Sequence, residues 1–322
     1  MHSTPNPTSK PTHLILLTCH AIYVSGPPEL ESSWLLAPFQ KEGHEWMTFI
    51  KHILRAAGLW KEDESSLLVI SGGCTRGEVE RSEAMGYFEV GVERGVWGRG
   101  DLVTEVRRGR GEGRIFLEEE ALDSYENLVR GLLAFWRGTG EWPRRISIVS
   151  HGFKRERFEE LHCGVLGLGM GMGICLKGER GVEDDGDEDA DGMGGKGKGK
   201  GVEVIFEGIN PEFMDEESRE FDREKCEDTV KGERERGYGE WKRDLWGTGS
   251  VLRMKRGGRD KWGIKGEERK LFESEEERVK SGLSTRWLEE GEGVRREEVI
   301  KDGEGVRREE VIKEGGVLPW NC

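Results

Sequence analysis

Short unbroken apolar runs alternate with amphipathic stretches along the first half of the chain, and this alternation predicts its elements. His13 to Cys19 (HLILLTC) is apolar nearly throughout, as expected for a strand covered on both faces of a parallel sheet. From His44 to Leu59, Trp46, Phe49, Ile50, Ile53, Leu54 and Ala57 recur at helical spacing, with Gly58 near the expected stop. Ser66 to Ser71 (SLLVIS) predicts a second buried strand, followed at once by Gly72-Gly73. A helix is expected from about Glu80 to Val92, a short strand at Ile115-Phe116-Leu117, and a helix from Ser124 to Trp136. Arg145 to Ser150 (RISIVS) predicts another strand, leading into a basic helix over Lys154 to Cys163, and Val202 to Phe206 predicts the last one. Strand, polar loop and helix in repeated order predict an α/β fold: a Rossmann-like three-layer sandwich with a mostly parallel sheet.

Outside that frame the apolar material thins. Residues 1–11 are rich in Pro, Ser and Thr and read as a loose arm, followed by one α/β domain over 12–256. Residues 177–201 join an acidic run to GGKGKGKG, which predicts a disordered insertion. Residues 94–113 form a long Gly/Arg-rich connection, either a lid or an altered segment. Residues 257–322 read as a charged, largely disordered tail. Within it GEGVRREEVIKD (291–302) recurs as GEGVRREEVIKE (303–314), and two copies are too few to bury a solenoid core.

Composition narrows the function classes. Of 322 residues, 34% are hydrophobic and 35% charged, with 49 glycines, which argues for one core and a tail rather than two domains. A net charge of −14 disfavours nucleic acid as a partner, since phosphate neutralisation needs a cationic face. The six cysteines form no CxxC pair, and no histidine stands at zinc-finger spacing, so neither a disulfide framework nor a structural metal is expected. Leu14 to Leu17 is far shorter than the ~20 residues of a membrane span. A cytoplasmic chain is the expectation, with the nucleus as the alternative and no membrane partner.

In open α/β sheets, ligands bind beyond the carboxyl ends of the strands, and the polar residues expected there are the candidates. Thr18, Cys19 and His20 follow the first strand. Ser71, Gly72, Gly73 and Arg76 follow the second, where glycines permit close backbone approach, amides can face an anion and the guanidinium can neutralise it. Glu126 and Asn127 open a helix, and His151, Lys154 and Arg157 follow the third strong strand. Each has a plainer reading: Gly-Gly as a tight turn, His151 as a structural hydrogen-bonding group, Glu126 and Asn127 as ordinary first-turn residues, Cys19 and Cys74 as packing. The cations at a helix start oppose the macrodipole, a local misfit of the kind that often marks function. Neither GxxxxGK[ST] nor a strand-end GxGxxG occurs, so no phosphate-loop or dinucleotide fingerprint is present and no cofactor is named.

Taken in order, Ser71-Gly72-Gly73, Ser82-Glu83-Ala84 with Met85 behind it, the acidic residue and ALDSYEN ending at Asn127, and VSHGFKRERF (149–158) resemble the domain-of-unknown-function 218 family (YdcF/SanA/ElyC-like), most nearly its fungal cytosolic branch. The resemblance implies a Rossmann-like fold and one polar site, with nucleotide-like ligands proposed for some members. On that basis Ser71, Gly72, Gly73, Arg76, Ser82, Asn127, Lys154 and Arg157 are the expected ligand-binding residues, and His151, Glu83 and Glu126 the expected acid/base groups. The expected partner is a small anionic or nucleotide-like ligand. Two alternatives stand beside it: an adaptor acting through insertion and tail, and a metal-dependent hydrolase using His20, Glu83 and His151.

Overall fold

The computed structural model describes residues 10–97, 114–169, 201–262 and 271–283. Its centre is a five-stranded parallel sheet built from β1 (His13–Thr18), β4 (Ser66–Ser71), β5 (Ile115–Glu118), β6 (Arg145–Ser150) and β7 (Glu203–Gly208). Two short antiparallel strands, β2 (Ile22–Tyr23) and β3 (Trp34–Leu35), lie apart from it. The sheet order is β5-β4-β1-β6-β7, so the chain first builds outward from β1 to β5 and then returns to build outward on the other side. β1 pairs with β4 from His13↔Ser66 to Thr18↔Ser71 and with β6 from His13↔Arg145 to Leu17↔Val149.

Side-chain alternation on β1 divides the core. Leu14 and Leu16 enter one cluster, with Leu128, Leu132 and Phe135 of the helix Ser124–Thr139. Ile15 and Leu17 enter the other, with Phe49, Ile50 and Ile53 of the helix Glu45–Glu62 and Ala84 and Phe88 of the helix Glu83–Glu93. All four β1 residues are wholly buried. A strand covered on both faces must be apolar at every position, which is why HLILLT carries no polar alternation. The result is helix, sheet, helix: a three-layer Rossmann-like α/β fold.

Several boundaries differ from expectation. The helix expected to stop near Gly58 runs through it to Glu62, because Leu59 and Trp60 beyond it pack against the core. The basic helix after β6 is split into a 3-10 turn (Gly152–Lys154), a π-helical stretch (Arg157–His162) and a last α turn (Cys163–Val165). A second long run, Arg223–Gly232, Glu233–Tyr238 and Gly239–Arg243, was not expected. Its residues are mostly charged and it buries little, so it leaves no apolar stripe to read.

The core also continues past the boundary expected at 256. The helix Ser250–Arg259 buries Leu252, and Leu271, Phe272 and Leu283 are buried beside the helix Ser124–Thr139. The Trp142 indole donates to the Ser281 carbonyl at 3.0 Å. The arm over residues 1–9, most of the 94–113 connection, nearly all of the 177–201 insertion and the duplicated unit lie outside the described residues. No helix among the described residues is long and apolar enough to cross a membrane.

Candidate functional site

The sheet order reverses between β1 and β6, and there the helices on the two faces leave in opposite directions and open a crevice. β1 ends at Thr18 and β6 at Ser150, tied by a 2.8 Å bond from the Thr18 hydroxyl to Ser150 Oγ. His20 and His151 follow directly. The crevice has a volume of about 1160 Å³, enough for a small organic ligand. Glu45, Glu83, Asn127, Lys154 and Arg259 reach it from five different helical segments.

Three imidazoles pack together here, His20 and His151 lining the crevice and His52 buried behind them. The His20 ring stacks on His151 at 4.3 Å between centroids, and His52 meets both rings edge-on at 5.6 and 5.0 Å. Lys154 Nζ lies 3.2 Å from His20 Nδ1. An ammonium can only donate, so that nitrogen is the acceptor and the His20 proton sits on Nε2, 3.4 Å from Ser150 Oγ. His52 Nε2 donates to the Ile209 carbonyl at 2.9 Å. His151 is 1% exposed, and neither ring nitrogen takes a hydrogen bond among the described residues; the nearest carboxylate, Glu45 Oε2, is 3.6 Å from Nε2. Two unmet polar atoms buried against a cleft are costly, and a ligand is one way to satisfy them.

Burial and neighbouring positive charge set the protonation states. Burial, then Lys154 and the other imidazoles, hold His20 and His151 well below the usual histidine range, and burial brings His52 down to about 4. Burial pushes the Glu45 carboxyl up to about 7 against the pull of Lys154 and Lys225. Lys154, half-buried by its exposed surface, is brought down to about 7 by the low-dielectric surroundings and then by Arg157. Arg259 acts on it in the same direction, and Glu233 and Glu45 oppose the shift. Arg157 pairs with Glu233 at 3.1 Å, and Arg259 donates to the Leu122 carbonyl at 2.8 Å. Burial raises Glu83, while the Thr75 hydroxyl at 2.6 Å, Arg259, Lys154 and Arg76 counter it. Three cations from three segments, Arg76, Lys154 and Arg259, therefore act on one buried carboxyl, and Arg157 and Arg259 act on Lys154.

The motif residues meet, but several do so by packing against each other. The Gly72 amide donates to Glu118 O at 3.0 Å and the Gly73 amide to Ala121 O at 2.7 Å. The expectation that these amides face an anion is corrected, because backbone carbonyls already hold both. A Cβ on Gly72 would stand 2.7 Å from Cys19 Cβ, and one on Gly73 would stand 2.8 Å from Ala121 O. Neither glycine has positive φ, so close approach is what requires them. Ser71 Oγ donates to Glu118 and lies 2.9 Å from Asn127 Oδ1, and Ser71 itself does not line the crevice. Ser82 caps its helix by accepting from the Met85 amide at 2.9 Å and donates to Glu119 at 2.6 Å.

Glu126 is 1% exposed and does not line the crevice: it accepts from the Leu122 amide at 2.8 Å and pairs with Arg256 at 3.1 Å. In that position it holds the wall and cannot reach a ligand. Asn127, Glu83, Arg76, His151, Lys154 and Arg157 do line the crevice. Cys19 lies behind Gly72, its thiol raised well above the usual range by burial and by Glu83 and Glu118, which suits packing rather than attack. Among the described residues no group of three or more His, Cys, Asp or Glu is placed to hold a metal; the imidazoles stack instead of converging.

Glu45, His52 and Arg259 were not anticipated as site residues. Glu45 and His52 stand one heptad apart on the buried face of an amphipathic helix, among Trp46, Phe49 and Ile53. A carboxyl and an imidazole interrupting an apolar stripe are the signal that would have found them. Arg259 gave no such signal, since its helix (SVLRMKRGGR) is basic throughout.

Comparison with known proteins adds one relative. The chain is 29% identical over 185 residues to YOR238W of Saccharomyces cerevisiae, an uncharacterized protein. The match covers 46% of this chain and 61% of the yeast protein, so it spans less than two thirds of that relative's length. No family model matches, and no solved structure matches.

Proposed function

We propose that the crevice between β1 and β6 binds a small anionic ligand, nucleotide-like in the finer reading, and that the protein acts on it. The observation that carries this reading is the convergence of Arg76, Lys154 and Arg259 about Glu83, with Arg157 beside Lys154, within a cleft whose wider lining mixes carboxylates and cations, in a chain of net charge −14. Like charges held together in a low-dielectric cleft repel, and an anion relieves the repulsion while gaining charge-assisted hydrogen bonds. Among the described residues Arg76 and Arg259 pair with no carboxylate at all. The cleft is larger than a phosphate alone requires. Phe39, 66% exposed, and Phe153 line it and offer flat faces on which a base can stack.

We also infer membership of the domain-of-unknown-function 218 family. Its support is the meeting of the motif residues: Ser71 with Asn127, and Gly72 with Glu83. A cytoplasmic setting fits Cys19, Cys74, Cys163 and Cys226, all free thiols. Titration calorimetry with pyrophosphate and adenosine diphosphate tests the function. The expected result is saturable binding that Arg259→Ala weakens by at least tenfold, since a charge-assisted hydrogen bond contributes ~1.5–3 kcal/mol. Equal affinity in the variant contradicts the reading.

A further inference from the structure

Lys154 is poorly placed for a structural lysine. It lies in the first turn of the helical run that leaves β6, where the aligned peptide dipoles disfavour an ammonium. It makes no ion pair with a carboxylate among the described residues, and its polar partner there is an imidazole nitrogen, His20 Nδ1, at 3.2 Å. The Phe153 ring is 5.7 Å from its Nζ, and the guanidinium groups of Arg157 and Arg259 act on it from the same cleft. A buried ammonium normally needs a paired carboxylate. An amine spending part of its time uncharged does not, and the downward shift to about 7 agrees with that. Around this amine stand cations suited to an anionic group and a neutral imidazole whose free lone pair faces it.

We propose that Lys154 is a nucleophilic amine that forms an imine with a small aldehyde or ketone whose anionic group is held by Arg157 and Arg259. The proposal rests on the anion-binding reading of the same crevice. The neutral amine's lone pair forms a C–N bond to the carbonyl carbon, and the C=O π pair moves to oxygen. The nitrogen, now positively charged, gives a proton to His20 Nδ1, which passes it to the alkoxide oxygen to complete the neutral carbinolamine. The nitrogen lone pair then closes the C=N bond as the hydroxyl departs, and the remaining N–H proton passes through His20 Nδ1 to that hydroxyl, giving imine and water. In sum, amine and carbonyl give imine and water, with no oxidant or reductant required.

The test uses the full chain, glycolaldehyde phosphate as probe and sodium cyanoborohydride to reduce any imine, with adducts located by peptide mass mapping at pH 7. The expected result is an adduct at Lys154 at least tenfold above any other lysine, suppressed by pyrophosphate and much weaker with unphosphorylated glycolaldehyde. Lys154→Arg keeps a cation but removes the amine, so it loses the adduct. Adducts spread evenly over surface lysines, with pyrophosphate binding intact, overturn the imine and leave the anion site standing. Equal labelling of Lys154 by both aldehydes, with no pyrophosphate binding, overturns the anion site and with it the substrate class. Mapping on the unaltered chain gives the answer even if the variant fails to fold.

Discussion

Replacing Gly73 with alanine separates the two roles the Gly-Gly loop was open to. A Cβ there would stand 2.8 Å from Ala121 O, 3.1 Å from Glu120 C and 3.2 Å from Glu120 O. All three are backbone atoms, so no flexible side-chain end can move aside. Relief requires the 118–121 loop to shift, which breaks the 2.7 Å bond from the Gly73 amide to Ala121 O. Overpacking costs ~1–3 kcal/mol, and the lost hydrogen bond adds ~1 kcal/mol. The expected destabilisation is therefore ~2–4 kcal/mol from those two terms. At a urea slope of roughly 3 kcal/mol per M, the unfolding midpoint falls by about 1 M. Gly58→Ala is the matched control: it sits inside a helix with nothing within 4 Å of a Cβ, so alanine should stabilise by ~0.5–1 kcal/mol. An unchanged midpoint for Gly73→Ala, with the control shifted upward, would refute the packing role and restore an open loop free to receive a ligand.

Three further outcomes are expected. His52 has a folded pKa of about 4 against an ordinary 6.5, so the unfolded chain binds the extra proton and stability falls as pH drops through that window. Urea unfolding from pH 6.5 to 4.5 should cost the protein about 2 kcal/mol more than it costs His52→Gln, which keeps a donor for Ile209 O; equal losses would place no buried neutral imidazole at 52. Ending the chain at 262 rather than 283 removes Leu271, Phe272 and Leu283 from the core, at ~1.5–3 kcal/mol per side chain. A drop in Tm of about 10 °C or more is expected in calorimetry, and coincident transitions would contradict the extended boundary. Glu126→Gln leaves Arg256 with one buried carboxylate instead of two, so it should lower stability by about 3 kcal/mol while pyrophosphate affinity changes less than threefold, placing Glu126 in the wall.

The fold was legible because its strands are buried on both faces. HLILLT and SLLVIS carry their covered positions as unbroken apolar runs, and the amphipathic helices between them carry the 3.6-residue period. The strand ends were legible for the same reason, which is why His151, Lys154, Arg157 and Arg76 were named as site residues and do line the crevice. What sequence could not supply is the direction in which a polar group is used. Gly72 and Gly73 permit close approach equally to a ligand or to the 118–121 loop, and only the fold shows that loop occupying the space. Glu126 belongs to the same motif as Asn127, but its carboxylate is taken up by Arg256 and the Leu122 amide, behind the residues that line the cleft. Residues through 256 read as part of the domain, but the charged run Arg223–Arg243 and the helix bearing Arg259 bury too few apolar residues for their helical period to show.

The most direct measurement is a crystal of the protein soaked with tungstate, whose anomalous scattering locates a phosphate-like anion without ambiguity. The account predicts the tungsten peak in the crevice between β1 and β6, within hydrogen-bonding range of Lys154, Arg157 or Arg259. A peak at the Gly72 and Gly73 amides, or ordered tungstate elsewhere with this crevice empty, would contradict it.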